Sequence, residues 1–432
     1  MGIKTDSNSI PLGIKITYIP FLILLIFKIG HSNSADITNL GYIVFFIWFY
    51  ICFIFNPKEV INVLRKKHYV ILYIFLLYHF IIGITANGVW VATKSTGVFV
   101  QYLSPMFMYE FYSRFENKKF NSINLMLITG ILVYFSVSTI FYLNIDPFFA
   151  RDIFSSGVDE EVIVGGGYAL SYGLTLIVPA LLYYFIVIIR KRNKRFFLRD
   201  KVKVKYLYLL VLLITMLIFS YVILKSMFMI SILITIFGFL CAIVLSLSNK
   251  ITDKYLFWIM IFLSILFLLT NELIFQFIES LLTDDHDLIK LKLLAMRSSF
   301  EVGVDPYDSL GGRVTLYINS LKIFLDNFFF GIGYQYKLDY LLMRDAGLGQ
   351  HTEWFDILAV YGIFSVFLIW FIISWGKNIY SQKVGFRISF LCLLIVGFLN
   401  PIHLFTLFFA TFYFIPTIDD HFNMMSVLHQ RN

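Results

Sequence analysis

Long apolar runs alternate with short polar segments along almost the whole chain. Windows apolar enough to cross about 30 Å of hydrocarbon as helix occur at about twelve places. These windows are 16–30, 37–56, 69–87, 89–112, 123–145, 167–189, 206–224, 227–247, 255–275, 354–374, 386–400 and 403–418. The first window and the last two are the shortest. The pattern therefore predicts an all-α, polytopic membrane bundle with about twelve transmembrane helices.

Composition indicates the same class of protein. The 432 residues are 59% hydrophobic and 19% aromatic, only 14% are charged, and the mean hydropathy is +0.80. These values lie well outside the range of soluble globular domains. Cys52, Cys241 and Cys392 all lie inside apolar runs. The sequence therefore predicts neither a disulfide framework nor a metal cluster.

The distribution of lysine and arginine predicts the orientation in the membrane. With a cytoplasmic N-terminus, most of the 35 basic residues fall on the cytoplasmic side, including nine between residues 190 and 205. The reverse orientation would place that cluster outside, so we expect both termini to be cytoplasmic. The net charge of +8 is then a topology signal that also favours contact with anionic membrane lipid, and no nucleic-acid partner is expected.

One outer segment, 276–353, is much longer than the other outer connections. Long connections are usually functional, and this one contains helical patterning of its own. In 316-LYINSLKIFLDNFF-329 the apolar residues recur at helical spacing, which predicts a helix lying along the membrane surface. A weaker pattern runs through 288–300. We expect one membrane domain, 1–432, with 276–353 as a helical subdomain that covers the outer ends of the bundle.

Two segments resemble a known family. The segment 311-GGRVTLYINSLKIFLDNFFFGIG-333 and the later 350-QHTEWFDILAVYGIF-364 follow each other as in the shared core of the O-antigen polymerase and O-antigen ligase family. The common pattern is a Gly-Arg pair, an amphipathic helix, a Gly-x-Gly turn and a histidine that opens a span. The many-span layout with one large outer loop late in the chain matches too. The His-Thr-Glu sequence with Asp356 is more similar to the polymerase branch.

The resemblance implies a fold, a location and a reaction. The fold would be that of the large-helical-bundle glycosyltransferases of the GT-C type, in the bacterial inner membrane with the active site on the periplasmic face. The reaction would transfer glycan from an undecaprenyl diphosphate-linked oligosaccharide to a sugar hydroxyl, with no metal, nucleotide sugar or other cofactor. A chain-length regulator is a candidate partner.

His351 is the candidate general base, because a histidine that titrates near neutrality can take the proton of an acceptor hydroxyl. The alternative is a histidine that caps or flanks a helix. Glu353 and Asp356 follow in the first turn of the next helix, where acids are favoured by the helix dipole alone. We expect either that Glu353 acts with the histidine in catalysis and Asp356 binds substrate sugar, or that both acids only stabilise the helix start.

Basic residues are the candidate ligands of the diphosphate. Arg313 follows two glycines that let the backbone turn, and its planar guanidinium suits phosphate oxygens. Lys225 lies at the outer junction of two spans, where family members carry a Ser-Arg or Ser-Lys pair, although the order here is Lys-Ser. Further candidates are Arg297, Lys94 and Arg151. Each of these bases has an alternative role as a solvated or snorkelling surface residue.

Three functions remain open at this point. The leading hypothesis is a polymerase that extends O-antigen or a related surface polysaccharide. The second is a ligase that moves finished glycan onto lipid A core. The third is a flippase for lipid-linked oligosaccharide, which ranks below the enzymes because the charged residues gather outside the spans rather than along them.

Overall fold

The computed structural model describes residues 12–30, 35–115, 118–145, 168–190, 202–226, 228–247, 309–333, 346–348, 352–380, 383–400, 402 and 405–428. These residues form helices and their connections, and no strand occurs among them. The predicted all-α class is therefore confirmed. The predicted span 255–275 and most of the outer loop 276–353 lie outside the described residues.

Eight described helices precede the large loop. They are α1 (Leu12–Gly30), α2 (Ala35–Phe55), α3 (Pro57–Leu64), α4 (Lys67–Tyr112), α5 (Lys118–Ile145), α6 (Tyr168–Arg190), α7 (Val202–Lys225) and α8 (Met229–Leu247). Helix α9 (Ser309–Asp326) lies within the 276–353 loop, and the described helices after it are α10 (Glu353–Tyr361), α11 (Ser365–Tyr380), α12 (Val384–Leu399), α13 (Phe405–Phe409) and α14 (Ile415–Leu428). A π-helical turn, Ala410–Phe414, joins α13 to α14.

Seven helical stretches of the described chain are long and apolar enough to cross a membrane. They are Leu12–Ile29, Lys67–Thr85, Asn121–Ile145, Ala169–Arg190, Tyr206–Lys225, Ile230–Leu247 and Glu353–Tyr380. An eighth arises if Leu40–Phe55 and Pro57–Leu64, which meet at 113°, form one broken span. The multi-span character is confirmed, whereas the total of about twelve stays a prediction.

Helix α4 contains two of the predicted spans. Gly88 interrupts it with a φ of 79°, a conformation that glycine adopts without a steric cost. The two arms fold back on each other. Gly83 permits their close approach, because a Cβ atom at this position would lie 2.8 Å from the Cβ atom of Ala92. The rings of His79 and Phe99 pack 4.8 Å apart between the arms. The predicted boundary between 69–87 and 89–112 is therefore confirmed.

Aromatic side chains fill the core between the helices. Phe21 of α1 packs 5.0 Å from Tyr413, and Trp375 of α11 meets Phe412 edge-on at 5.2 Å. Helix α6 is the most deeply buried of the candidate spans. By contrast, large apolar residues such as Leu217 lie exposed on the flanks of the bundle. Exposed apolar flanks of this kind are typical of helices that face lipid.

Charged residues distinguish the two ends of the bundle. At one end, the carboxylate of Glu110 in α4 lies 2.7 Å from Nζ of Lys66 and 3.0 Å from Nε2 of His68. Arg114 pairs with Glu59, and Lys383 binds both Asp420 and Tyr109 at the same end. These ion pairs between described residues all lie at that end. We call it the Glu110 end, and the opposite one, where α7 and α12 finish and α10 begins, the Glu353 end.

Candidate functional site

The start of α10 is fixed to the end of α12. Glu353 is buried, and its Oε2 atom accepts the backbone N–H of Ile402 at 2.9 Å. Trp354 donates its indole N–H to the carbonyl oxygen of Leu394 at 2.9 Å. Gly397 allows this approach, because a side chain at that position would collide with the indole. The first turn of α10 therefore has a fixed position at the Glu353 end.

A buried hydrogen bond joins α10 to α9. Ser320 donates its hydroxyl to Oδ1 of Asp356 at 2.7 Å, and both side chains are buried. One turn away, the rings of Tyr317 and Phe355 lie 5.8 Å apart. The helix predicted within 316–329 is therefore confirmed, and it packs beside α10. Whether it lies along a membrane surface stays a prediction.

The connection after α9 pairs with the end of α10 through the backbone. Ile332 N donates to Ala359 O at 2.9 Å, and Ile363 N donates to Phe328 O at 2.8 Å. Gly331 and Gly362 permit this contact, because both have positive φ values, 67° and 56°. A side chain at either position would collide with backbone atoms of the opposite segment.

The predicted span over 354–374 lies within the membrane-length stretch Glu353–Tyr380, and the structure adds a helix break inside it. Helix α10 ends at Tyr361, a 3₁₀ turn spans Gly362–Phe364, and α11 starts at Ser365. The positive φ of Gly362 ends the first helix there. The break is packed, because the ring of Tyr78 stacks on Phe364 with centroids 3.8 Å apart. Tyr78 also donates its hydroxyl to the Phe330 carbonyl.

Lys225 lies at the same end of the bundle. The next residue, Ser226, is buried and accepts a hydrogen bond from Ser171 of α6 at 2.6 Å. The neighbouring Tyr172 accepts a hydrogen bond from Asn400, which follows α12. Because Asn400 is two residues before Ile402, this chain of contacts connects the Lys225 turn to the Glu353 carboxylate. The structure thus brings Lys225, Glu353 and Asp356 to one end.

A cavity of about 20 Å³ opens beside Glu353. It has room for one water molecule. Its lining is almost wholly apolar apart from Glu353 and Tyr102: Phe99, Tyr102, Leu103, Glu353, Ile357, Leu368, Ile372, Ile402 and Phe408. The Glu353 carboxylate is therefore held among apolar side chains, where a charge interacts strongly with any neighbouring dipole.

The remaining predicted site residues are less well defined. Lys94 is exposed on the second arm of α4. Arg313 belongs to the first turns of α9, seven residues before Ser320, which corresponds to about 10 Å along a helix. His351 directly precedes the described residue Thr352, and it lies outside the described part of the chain, as do Arg297 and Arg151. Their roles stay predictions.

Lys28 and Gln101 also lie at the Glu353 end, and neither is among the site residues that the sequence predicts. Thr406, four residues after Ile402, donates its hydroxyl to the Lys28 carbonyl at 3.4 Å. Gln101 is the neighbour of Tyr102, which lines the Glu353 cavity. The sequence signal for them is an ionisable residue and an amide inside apolar runs. Burying such groups in a membrane is costly, so the residues that remain there usually have a function.

The chemistry at this end differs from that at the Glu110 end. Glu353 and Asp356 accept the hydrogen bonds described above from neutral donors, a backbone N–H and a hydroxyl. No ion pair joins Lys28 or Lys225 to a carboxylate among the residues that the structure describes. Within the same residues, no group of histidine, cysteine and acidic side chains could hold a metal ion.

Comparison with known proteins agrees with the sequence resemblance. The family model described as O-Antigen ligase matches residues 228–370, about a third of the chain. This region contains both segments that carried the resemblance, together with α8, α9, α10 and the break at Gly362. The suspected relation to the O-antigen polymerase and ligase family is thereby confirmed for this part of the chain. No curated protein matches the chain.

Proposed function

We propose that this chain is a polysaccharide polymerase of the bacterial inner membrane. It would transfer glycan from an undecaprenyl diphosphate carrier to a hydroxyl of a second lipid-linked repeat unit on the periplasmic face. The family match over 228–370 is the observation that most supports glycan transfer of this class, and the resemblance of His-Thr-Glu with Asp356 to the polymerase branch favours the polymerase. Within that region the Ser320–Asp356 bond holds the Arg313-bearing helix against the helix that follows His351.

The proposed reaction exchanges one C–O bond for another. The bond between the anomeric carbon and the diphosphate oxygen breaks, and a bond from that carbon to the acceptor oxygen forms. The acceptor hydroxyl loses its proton to the base, and the diphosphate leaves with the electron pair of the broken bond. Such a step needs cations at the leaving group and a base at the hydroxyl. The proposal requires neither a metal ion nor a nucleotide sugar.

Named residues take these parts. His351 would accept the proton, and Lys225 and Arg313 would bind the diphosphate. Glu353 and Asp356 hold α10 through Ile402 and Ser320. We therefore assign these two acids to positioning His351, which immediately precedes Thr352 at the start of that helix. Arg297, Lys94 and Arg151 would act at the rim of the site, toward glycan or carrier.

Ligase activity is the second candidate, because the matching family model carries the description O-Antigen ligase. Both reactions use the same donor and differ in the acceptor, which is lipid A core for the ligase. Deletion of the gene separates them on a polysaccharide gel. Loss of a polymerase leaves core plus one repeat unit. Loss of a ligase leaves bare core and polymer stranded on the carrier.

A further inference from the structure

Polar side chains of α1 and α4 lie beside α2 at a place to which the proposed reaction assigns no residue. Lys28 in the last turn of α1 is half-buried, and its ammonium lies 5.1 Å from the ring centre of Tyr42. Gln101 of α4 is wholly buried, and among the residues that the structure describes neither its Nε2 nor its Oε1 atom has a hydrogen-bond partner. A buried amide without partners is costly, so its presence needs a reason.

Gly41 of α2 makes room for both groups. A Cβ atom there would lie 2.5 Å from Cε and 3.1 Å from Nζ of Lys28, and 3.3 Å from Nε2 of Gln101. The ammonium and the amide nitrogen therefore both lie beside the Gly41 backbone, 3.1 and 3.3 Å from the same Cβ position. Two nitrogen donors that converge on one space, one of them charged, suit an oxyanion.

Purely structural roles account for only part of this arrangement. The helix dipole favours a lysine in the last turn of α1, but it explains neither Gln101 nor the glycine at 41. A lysine that merely reaches for the interface would have no need of a buried amide beside it. The site also lies close to the proposed reaction. Thr406 contacts Lys28, and Tyr102 shares the Glu353 cavity.

We propose that Lys28 and Gln101, over Gly41, form a binding site for a lipid phosphate group. The phosphate group could come from two lipids. One is the polyprenyl carrier with its diphosphate, and for this lipid the proposal rests on the proposed function. The other source of the same chemistry is the headgroup of an anionic phospholipid. In either case the lysine supplies the charge and the amide donates a hydrogen bond to a phosphate oxygen.

The test compares variants of the whole protein in nanodiscs of phosphatidylethanolamine. Lys28→Ala removes the charge, Gly41→Ala displaces the lysine, and Gln101→Leu replaces the amide with an apolar side chain of similar size. Lys15→Ala is the matched control, because Lys15 is exposed on α1 and lies thirteen residues before Lys28, toward the other end. Binding of undecaprenyl diphosphate is titrated, and retention of added phosphatidylglycerol is followed by native mass spectrometry.

For the carrier, we expect each of the three site variants to bind undecaprenyl diphosphate about tenfold more weakly than Lys15→Ala, since a charge-assisted phosphate contact is worth that much. For the headgroup, wild type and Lys15→Ala retain phosphatidylglycerol and the site variants lose it. Gln101→Leu is decisive. A purely structural glutamine without partners tolerates leucine, whereas a ligand-binding one loses affinity while the protein stays folded.

The two proposals fail in different ways. If the wild type retains phosphatidylglycerol at this site but does not bind undecaprenyl diphosphate, the carrier role fails and the phosphate site stands. If Lys28→Ala and Gln101→Leu match Lys15→Ala with both lipids, the phosphate site is wrong, whatever reaction the protein performs.

Discussion

At the scale of single residues, the Glu353 end contains two buried acids that accept hydrogen bonds from described neutral donors, and two lysines, Lys28 and Lys225, that have no ion pair among the described residues. Glu353 binds Ile402 N, and Asp356 binds Ser320. An acid anchored in this way fixes a helix, and the proposals above assign the lysines to phosphate. Positioning and phosphate binding are thus assigned to different side chains.

The anchoring role of Glu353 predicts a graded response to substitution. Glu353→Gln keeps an acceptor oxygen for Ile402 N, so product formation should fall only a few fold. Glu353→Ala leaves the buried N–H without a partner and should destabilise the protein by about 1–3 kcal/mol. Thermal unfolding and polymer yield of the purified variants measure both effects. A glutamine variant that is inactive yet unfolds at the wild-type temperature would show that the carboxylate acts in the chemistry.

The proposed phosphate ligands make a second prediction. Lys225→Ala and Arg313→Ala should each abolish or severely reduce polymer, because each substitution removes a positive charge that stabilises the leaving diphosphate. Arg313→Lys should restore only part of the activity, since the two-pronged guanidinium contact is lost. Lys322→Ala is a matched control, because Lys322 is exposed on the same helix as Arg313. Unchanged polymer length and amount in well-expressed Arg313→Ala would remove this arginine from the site.

At the scale of elements, the sequence predicted which segments are helical better than how they meet. Apolar periodicity in 316–329 and 354–374 depends only on local residues. The bonds that place these helices, Ser320 to Asp356 and Ile402 to Glu353, join residues 36 and 49 positions apart. No local pattern encodes such partners. The break at Gly362 was missed for the same reason, since its cause includes the approach of Phe328–Gly331 from another segment.

The paired glycines at that junction give a prediction about stability. Gly331→Ala puts a Cβ atom against the backbone of Val360 and forces alanine to a φ of 67°. Backbone strain of this kind costs about 1–3 kcal/mol, and the collision adds to it, so yield of folded protein and unfolding temperature should fall. Gly130→Ala is the control, because a Cβ atom at that helical glycine would point into open space. It should unfold at or slightly above the wild-type temperature. Equal behaviour of the two variants would contradict the described contact.

At the scale of the whole molecule, the two ends have different electrostatic character. Ion pairs between described residues cluster at the Glu110 end, which the basic segments of the sequence predict to be cytoplasmic. The Glu353 end then faces the periplasm, where lipid-linked glycan would be available. A single orientation thus accounts for the distribution of basic residues and for the position of the proposed site.

Reporter fusions test that orientation. Fusions after Gln276 and Gln350 should report the periplasm, and fusions within 190–205 should report the cytoplasm, because nine basic residues in that segment resist translocation. A cytoplasmic signal from both positions of the 276–353 loop would place the proposed site on the wrong side of the membrane for a periplasmic reaction.

The most direct test of the central claim is glycan transfer by the purified protein in liposomes in which lipid-linked repeat units are the only donor and the only acceptor. We predict that the wild type converts them into a ladder of longer lipid-linked products. His351→Ala should still bind the donor but extend it a hundredfold to ten-thousandfold more slowly, roughly the contribution of a general base. Wild-type protein that leaves the repeat units unextended, or His351→Ala that extends them at the wild-type rate, would contradict the proposed reaction or its base, respectively.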